Sequence, residues 1–286
     1  MRVPTFTERL ERRRRIWWGL PWPGRGRPVG DAVHRLRERR EIRSREDPDE
    51  VWRCCEFWPR TLLDKRNARE FAARHGAPQV TLHWFGSDHD EAPLDSVGDR
   101  FVIRPTRGSN KQGVLVVLEG TERLFGEPAT GSDLRARLPR SRVLRRPAPM
   151  LVEEFAEPHD HGLLPLEYKA HTFGGHVEVV ELMSRTWAND PRHRYYTPDW
   201  TPLPNLNTYA DEDELRDPPP CLGDMLSHAS RLGAQIGTYM RIDFFISDRG
   251  CLFNEFSSTP LGGGYNTPDG DRILGELWAE RIGDAI

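Results

Sequence analysis

Apolar residues recur at helical spacing in several stretches of the chain. Between residues 64 and 75 this spacing predicts an amphipathic helix, which Gly76 and Pro78 end. The remaining predicted helices lie at 134–138, at 222–236 and at about 271–282.

Shorter apolar or alternating segments between the helices predict strands. These strands are expected at 80–85, 101–104, 114–118, 150–155, 168–173, 176–183, 239–247 and 251–256. Gly174-Gly175 joins two of them into one hairpin, and the turn at 248–250 joins the last two into another. Residues 187–220 are rich in Pro, Asp and Asn, which predicts an irregular segment that could cover a substrate.

The order of these elements favours a mixed α+β fold. Helix and strand do not alternate regularly enough for a Rossmann sheet. The glycines that follow strands fit neither the dinucleotide fingerprint nor the Walker pattern.

Composition excludes several classes of protein. No stretch of about 18 uncharged apolar residues occurs, so no membrane-spanning helix is expected, and the start of the chain lacks the features of a secretory signal. The four cysteines show no metal-ligand spacing, which fits reduced thiols and a cytoplasmic location.

The charge is unevenly spread although its sum is only −3. Residues 9–45 are rich in Arg with three interspersed Trp, a composition that could bind nucleic acid. Acidic residues interrupt the run, so a solvated helix pair that packs its tryptophans on the body of the protein is favoured, and no nucleic-acid partner is expected. Among 41 basic residues only Lys65, Lys111 and Lys169 are lysines, a residue type suited to phosphate contacts.

The segment FVIRPTRGSNKQGV, residues 101–114, is the first candidate for chemistry. Two predicted strands flank a loop whose glycines let backbone amides approach an anion, and whose Ser, Asn and Lys add donors. The segment therefore predicts a phosphate-binding loop, although any polar hairpin loop has similar composition.

The segments MLVEEFAEP at 150–158 and LEYKAHTFGG at 166–175 are a second candidate. A strand that ends in paired glutamates can present backbone groups to an adenine edge, and Glu167 can hold ribose hydroxyls. Strands often end in surface glutamates, which is the alternative explanation.

The hairpin at 239–264 carries the sharpest signal. Asp243 and Glu255 lie on its two strands among apolar neighbours, where two uncompensated carboxylates would be costly. Hard oxygen ligands together with nucleotide phosphates are how Mg²⁺ is usually held. Arg241 is expected on the same strand face as Asp243. A surface hairpin with an Arg–Asp ion pair is the alternative.

Together, in this order, the three constellations resemble the ATP-grasp superfamily. The closest likeness is to the TupA-like branch, which is associated with teichuronopeptide and other cell-surface polysaccharide biosynthesis. It rests on TLLDKRNAREFAARHG at 61–76, EYK at 167–169, RIDFF at 241–245 and FNEFSSTPLGGG at 253–264, and it spans about residues 60 to 280.

The resemblance implies a role for each matching residue. The residues implied in ATP binding are Lys65, Arg104, Arg107, Gly108, Ser109, Asn110, Lys111, Gly113, Glu153, Glu154, Phe155, Ala156, Glu167 and Lys169, with Asp160 as the alternative to Glu167 for the ribose. The implied metal ligands are Asp243, Glu255 and Ser257, the implied catalytic residues are Arg241, Lys111 and Arg104, and the implied acceptor loop is Gly262, Gly263 and Gly264. Arg104 replaces the family's Lys, and Ser257 replaces the Asn of many members.

The implied architecture is an α+β ATP-grasp fold in which two subdomains clamp ATP. Residues 1–95 would form a basic helical lead-in and a small lobe, and residues 96–286 the ATP-grasp domain, divided into 96–157 with the phosphate loop and 158–286 with the metal site.

The implied activity is an ATP- and Mg²⁺-dependent ligase that joins a small-molecule carboxylate to an amine through an acyl-phosphate, in polysaccharide or secondary-metabolite biosynthesis. The implied substrates are amino acids, sugar acids such as uronic acids, or peptides. The first alternative is a small-molecule kinase on the same fold. The second is a non-catalytic nucleotide- or polymer-binding protein. A homodimer would be compatible with any of them.

Overall fold

The computed structural model describes residues 41–54, 58–108, 113–124, 127–137, 149–160, 162–185, 190–260 and 265–283. The predicted helical lead-in before residue 41 lies outside these ranges. Within them, no helix combines the length and the apolar character needed to cross a membrane.

The first of two six-stranded sheets is built from the earlier strands. They are β1 (Leu82–Gly86), β2 (Arg100–Pro105), β3 (Leu115–Leu118), β4 (Thr121–Glu122), β5 (Glu127–Pro128) and β6 (Met150–Glu154). Their spatial order is β1-β6-β2-β3-β4-β5, and all pairs are antiparallel. The edge strand β1 precedes residue 96 and still belongs to this sheet.

The second sheet contains the two predicted hairpins. Its strands are β7 (Glu167–Phe173), β8 (His176–Ser184), β9 (Arg192–Tyr196), β10 (Asp211–Glu212), β11 (Tyr239–Ser247) and β12 (Gly250–Ser257), in the order β10-β9-β8-β7-β11-β12. Gly174 and Gly175 turn between β7 and β8 with φ of 60° and 99°, a backbone conformation that glycine adopts without strain. The strands β9 and β10 show that the prediction of an irregular segment over 187–220 was wrong at those positions.

The helices are α1 (Asp49–Trp52), α2 (Lys65–Arg74), α3 (Gly131–Arg137), α4 (Leu222–Ile236) and α5 (Pro268–Arg281). Helix α2 begins at Asp64, whose side chain accepts a hydrogen bond from the Arg66 amide at 3.0 Å. Helix α5 begins three residues earlier than predicted because Thr267 caps it and Pro268 fits its first turn.

The two faces of the second sheet differ in character. Side chains alternate along β11, so Ile242 and Phe244 point into the main apolar core while Arg241 and Asp243 point the other way. Helices α2 and α4 supply the rest of that core, for example through Phe71. The first sheet packs one face on a smaller core with α3. Its other face and the polar face of the second sheet enclose a cleft.

Candidate functional site

A cavity of about 740 Å³ lies between the two sheets. Its wall on the first sheet is largely apolar and includes Val102, Val116 and Phe155. Its wall on the second sheet is lined by charged side chains. A flat apolar group and a highly charged group would therefore bind at different parts of the same cavity.

One row of polar side chains crosses the second sheet. Register places Glu255, Asp243, Lys169, Glu181 and Tyr195 opposite one another on successive strands from β12 to β9. Residues that are directly opposite share a face of the sheet, so all five point to the same side. We call these five residues the polar row.

Cations compensate the two carboxylates at one end of the polar row. Arg241 binds Asp243 with two hydrogen bonds, Nε–Oδ1 at 2.8 Å and Nη2–Oδ2 at 2.7 Å. Lys65 reaches from the first turn of α2 to Glu255, with Nζ and Oε2 3.2 Å apart. The Arg–Asp pair that sequence alone could place on a surface is buried here, since Asp243 is 1% exposed.

Burial acts on the pKa of both carboxyl groups. It raises the pKa of Asp243 above its ordinary value, against the attraction of Arg241 and Lys169. At Glu255 burial works in the same direction, but Lys65 and the neighbouring arginines outweigh it and lower the pKa to about 2. Two adjacent carboxylates thus depend on nearby positive charge.

The donor set fits Mg²⁺. Asp243 and Glu255 are hard oxygen ligands on adjacent strands, and Ser257 lies two residues beyond Glu255 with its side chain at the cavity. Across the described ranges, no group of three or more His, Cys, Asp or Glu side chains is gathered as a metal site. Two carboxylates suit an ion that takes its other ligands from phosphate and water, as Mg²⁺ does.

Arg104 lies on the opposite wall and is held from both sheets. It forms an ion pair with Glu153 through Nε, and its Nη1 donates to Asn254 Oδ1 at 2.6 Å. Asn254 is the extra residue of a β-bulge in β12, because Asp243 faces Glu255 while Phe244 faces Phe253. The bulge thereby aims the Asn254 side chain across the cleft.

Glu153 forms ion pairs with two arginines. Besides Arg104 it binds Arg69 of α2, with Oε1 and Nη1 2.6 Å apart. Burial raises the pKa of Glu153, but Arg104 and Arg69 outweigh it and the net shift is downward. The side chain of Glu153 thus holds Arg104 in place, while Phe155 and Ala156 after it line the cavity.

Glu167 and Lys169 lie together in the cavity wall. Lys169 Nζ is 3.3 Å from Glu167 Oε2, and Arg185 Nε is 3.1 Å from Glu167 Oε1. Burial raises the pKa of Glu167, and these two cations reverse the shift. Asp160, the alternative for the ribose, is exposed and its side chain accepts a bond from the Gly162 amide.

The remaining predicted residues are spread more widely. Gly108 lines the cavity and its carbonyl accepts a hydrogen bond from Lys65 at 3.3 Å, while Arg107 pairs with Asp64. Glu154 turns away, accepting from the Thr81 amide and from Arg249. Gly113 has a φ of 76°. Ser109, Asn110, Lys111 and Gly262–Gly264 lie outside the described residues.

Sequence reasoning missed Asn254, Glu181 and Arg185, which line this cleft, and Arg69, which pairs with Glu153. Two of them carried a usable signal. Arg69 stands one helical turn after Lys65, so both face the same way. Glu181 is the partner of Lys169 once the turn at Gly174-Gly175 fixes the register of the hairpin. The bulge at Asn254 and the position of Arg185 had no such signal.

Comparison with known proteins agrees with this geometry. Residues 146–279 match the family model described as TupA-like ATPgrasp. A comparison with curated protein sequences finds no match.

Several solved structures superpose on this chain. A D-alanine–D-alanine ligase from Bacillus anthracis complexed with ATP superposes with a TM-score of 0.50 at 14% identity, over 77% of this chain and 65% of that one. VanG D-Ala:D-Ser ligase from Enterococcus faecalis gives 0.48 at 16% identity, over 70% and 53%. The D-cycloserine synthetase DcsG gives 0.48 at 17% identity, over 79% and 72%. The chain thus spans 53% to 65% of the length of the first two ligases.

Proposed function

We propose that this chain is an ATP- and Mg²⁺-dependent carboxylate–amine ligase. The proposal follows from its ATP-grasp fold and from the match of residues 146–279 to the TupA-like ATP-grasp family. One observation carries the proposal: Asp243 and Glu255 are cross-strand partners beside Arg241, and Glu255 and Arg241 line the cavity together with Lys65 and Arg104. Carboxylates for a divalent ion and several fixed cations for phosphate oxygens are what phosphoryl transfer from ATP requires.

The two walls of the cavity suggest how ATP binds. The apolar wall around Val116 and Phe155 suits the adenine ring, with the backbone at Ala156 along its edge. The ribose would lie near Glu167. The phosphates would then extend toward Lys65 and Arg104, where positive charge faces them.

In the first step, an oxygen of the substrate carboxylate attacks the γ-phosphorus of ATP. The new O–P bond forms as the bond to the β–γ bridging oxygen breaks, and ADP leaves with that electron pair. Arg104 and Lys65 stabilise the charge that spreads over the phosphoryl oxygens. Asp243 and Glu255 would hold Mg²⁺, which would supply further neutralisation of the charge on the phosphates.

In the second step, an amine attacks the carbonyl carbon of the acyl-phosphate. The C–N bond forms, the C–O bond breaks, inorganic phosphate leaves and the nitrogen loses a proton. Arg241, a buried cation in the cavity wall, would stabilise the oxyanion of the tetrahedral intermediate. Its carboxylate partners raise the pKa of Arg241 further, so it stays charged throughout.

The setting of the reaction is a further part of the proposal. The TupA-like match supports a role in polysaccharide or secondary-metabolite assembly. Consumption of ATP supports a cytoplasmic location.

Turnover of ATP with γ-labelled phosphate tests the proposal. The protein would be incubated with ATP, Mg²⁺ and pooled amino acids and uronic acids, and the products followed by mass spectrometry. A ligase releases the label as inorganic phosphate and yields a condensed amide, whereas a kinase leaves the label on the product. Binding of ATP without turnover by any pool, unchanged in Asp243→Asn, would contradict both.

A further inference from the structure

Glu181 lines the far end of the cavity and has no part in the nucleotide site proposed above. It lies in the polar row two strands away from Asp243, with Lys169 between them. Strand spacing puts it roughly 10 Å from Asp243 across the sheet, beyond the position of the phosphates. Its side chain is 3% exposed.

The hydrogen bonding of Glu181 is weaker than that of any other buried carboxylate discussed above. In the described structure its carboxylate is 3.4 Å from His193 Nδ1, and the hydroxyl of Tyr195, its cross-strand partner, also lies near it. His171 Nε2 lies 3.9 Å away and Arg241 Nη1 4.0 Å away, both beyond hydrogen-bonding distance. Asp243, by comparison, accepts two bonds of 2.7 and 2.8 Å. A buried carboxylate has four acceptor positions, and leaving them poorly filled is costly.

Glu181 is nevertheless ionised. Burial raises its pKa, but the charges of Lys169 and Arg241 and the hydrogen bond from His193 bring it well below the ordinary value. Burial also lowers the pKa of His171, so this ring is neutral near pH 7. Tyr239 fixes the ring through its hydroxyl, 3.0 Å from His171 Nδ1. The histidine that faces Glu181 from β7 therefore adds no formal charge, and the negative charge of Glu181 is balanced by Lys169, opposite it on β7, and by Arg241, 4.0 Å away.

The position of Arg241 indicates which kind of molecule would bind beside Glu181. It lies 4.0 Å from Glu181 and also contacts Asp243, where the substrate carboxylate would react. A cation and an anion that close together on one cavity wall complement a molecule with a carboxylate and an ammonium group on one carbon. A uronic acid offers Glu181 neutral hydroxyl donors but no positive charge.

We propose that Glu181 is the recognition residue for the ammonium group of the carboxylate substrate, and that this substrate is therefore an α-amino acid. The inference rests on the proposed ligase function and narrows it. An ammonium group donates three hydrogen bonds and fills the acceptor positions that Glu181 leaves open. Because Glu181 is a weak base, the bound ammonium keeps its proton. A protonated amine has no lone pair with which to attack, so the amino acid that is activated at this position cannot also supply the attacking amine.

Calorimetric titration tests this with the protein saturated with a non-hydrolysable ATP analogue and Mg²⁺. The probes are the common amino acids and their α-hydroxy acid counterparts, in which a hydroxyl replaces the ammonium. The wild-type protein is expected to bind at least one amino acid tenfold or more tightly than its hydroxy counterpart. Glu181→Gln is expected to reduce that preference by roughly tenfold to a hundredfold while affinity for the ATP analogue stays the same.

Two further variants complete the experiment. Glu178→Gln makes the same change on the same strand, where the side chain pairs with Arg281 instead of facing the cavity, and is expected to keep the full preference. Glu181→Asp keeps the charge but retracts it, and is expected to reduce the preference without abolishing it. If Glu181→Gln does not fold, the preference measured for Glu181→Asp tests the inference in its place.

Three results would overturn the inference. They are an undiminished preference in the Glu181 variants, equal affinity of the wild type for amino and hydroxy acids, and no binding of any amino acid while the ATP analogue binds. Failure of the analogue itself to bind would overturn the proposed function instead, and this inference with it.

Discussion

Asp243 of β11 and Glu255 of β12 are direct cross-strand partners, and their side chains lie on the same face of the sheet. This relationship turns two acids, twelve positions apart in sequence, into one pair. Arg241 and Lys65 compensate the pair from opposite sides. The two carboxylates are therefore held in place and neutralised by cations of the same chain.

Arg241→Lys tests the role of the guanidinium group. Lysine keeps the positive charge but cannot bind Asp243 with two parallel hydrogen bonds or reach the oxyanion with the same geometry. We expect kcat for ligation to fall at least tenfold, with little change in the KM for ATP. Steady-state kinetics with the substrates found by the turnover screen measures both. An unchanged kcat would remove Arg241 from the chemistry.

Arg104→Ala tests the ion pair of Arg104 with Glu153 and its hydrogen bond to Asn254 of the second sheet. The change leaves Glu153, buried and ionised, with Arg69 alone, and it removes the partner of Asn254. Removing one partner of a buried pair is strongly destabilising, so we expect about 2–4 kcal/mol lower free energy of unfolding and weaker ATP binding. Denaturant unfolding measures the first and calorimetry the second.

Arg123→Ala is the control for that change. Arg123 is more exposed and its ion pair is with Glu119 at 3.3 Å. Its replacement is expected to cost less than about 1 kcal/mol. Equal effects of the two changes would argue against a special role for Arg104.

Two glycines in helix α5 give opposite predictions. A Cβ atom at Gly270 would lie 2.0 Å from the Leu206 carbonyl oxygen, whereas a Cβ at Gly275 would have no atom within 4 Å. Gly270→Ala is expected to lower the free energy of unfolding by about 2–4 kcal/mol, because the helix must move from the chain it packs on. Gly275→Ala is expected to raise it by about 0.5–1 kcal/mol through helix propensity. Thermal unfolding of both variants checks this, and a stable Gly270→Ala would contradict the packing.

Glu255 predicts a pH dependence of stability. Its pKa in the folded protein is about 2, against an ordinary value of 4.5. Because the pKa of this acid is lower in the folded protein, its ionised form stabilises the folded state at pH values above the ordinary pKa. This contribution is lost as the pH falls from about 4.5 toward 2. We expect the stability difference between wild type and Glu255→Gln, measured without metal, to shrink by about 1–3 kcal/mol over this window. A difference that does not depend on pH would contradict the Lys65–Glu255 pair.

The sequence predicted those parts of the fold that local patterns determine. The helix at 222–236 and both hairpins are confirmed, because apolar periodicity and glycine turns specify them without reference to the rest of the chain. The ATP-grasp fold is confirmed as well. Strand β9 was missed because RHRYY is polar in sequence, although the fold buries His193 and Tyr195 against the polar face.

The candidate site was predictable only in part. Asp243, Glu255 and Arg241 follow from one hairpin and its alternation. The pairing of Glu153 with Arg69 and Arg104 joins α2, β2 and β6. The sequence around the end of β6 alone does not predict it, because the two arginines come from other elements. Likewise, the contact of Asn254 with Arg104 depends on a one-residue bulge that shifts the register of β12.

The central claim is that Asp243 and Glu255 together hold a divalent ion that contacts the nucleotide. Binding of Mn²⁺, a paramagnetic substitute for Mg²⁺, can be measured by electron paramagnetic resonance in the presence of a non-hydrolysable ATP analogue. The wild-type protein is predicted to immobilise Mn²⁺ only when the analogue is present, and Asp243→Asn and Glu255→Gln are each predicted to weaken that binding at least tenfold. Unchanged Mn²⁺ binding in both variants would contradict the account.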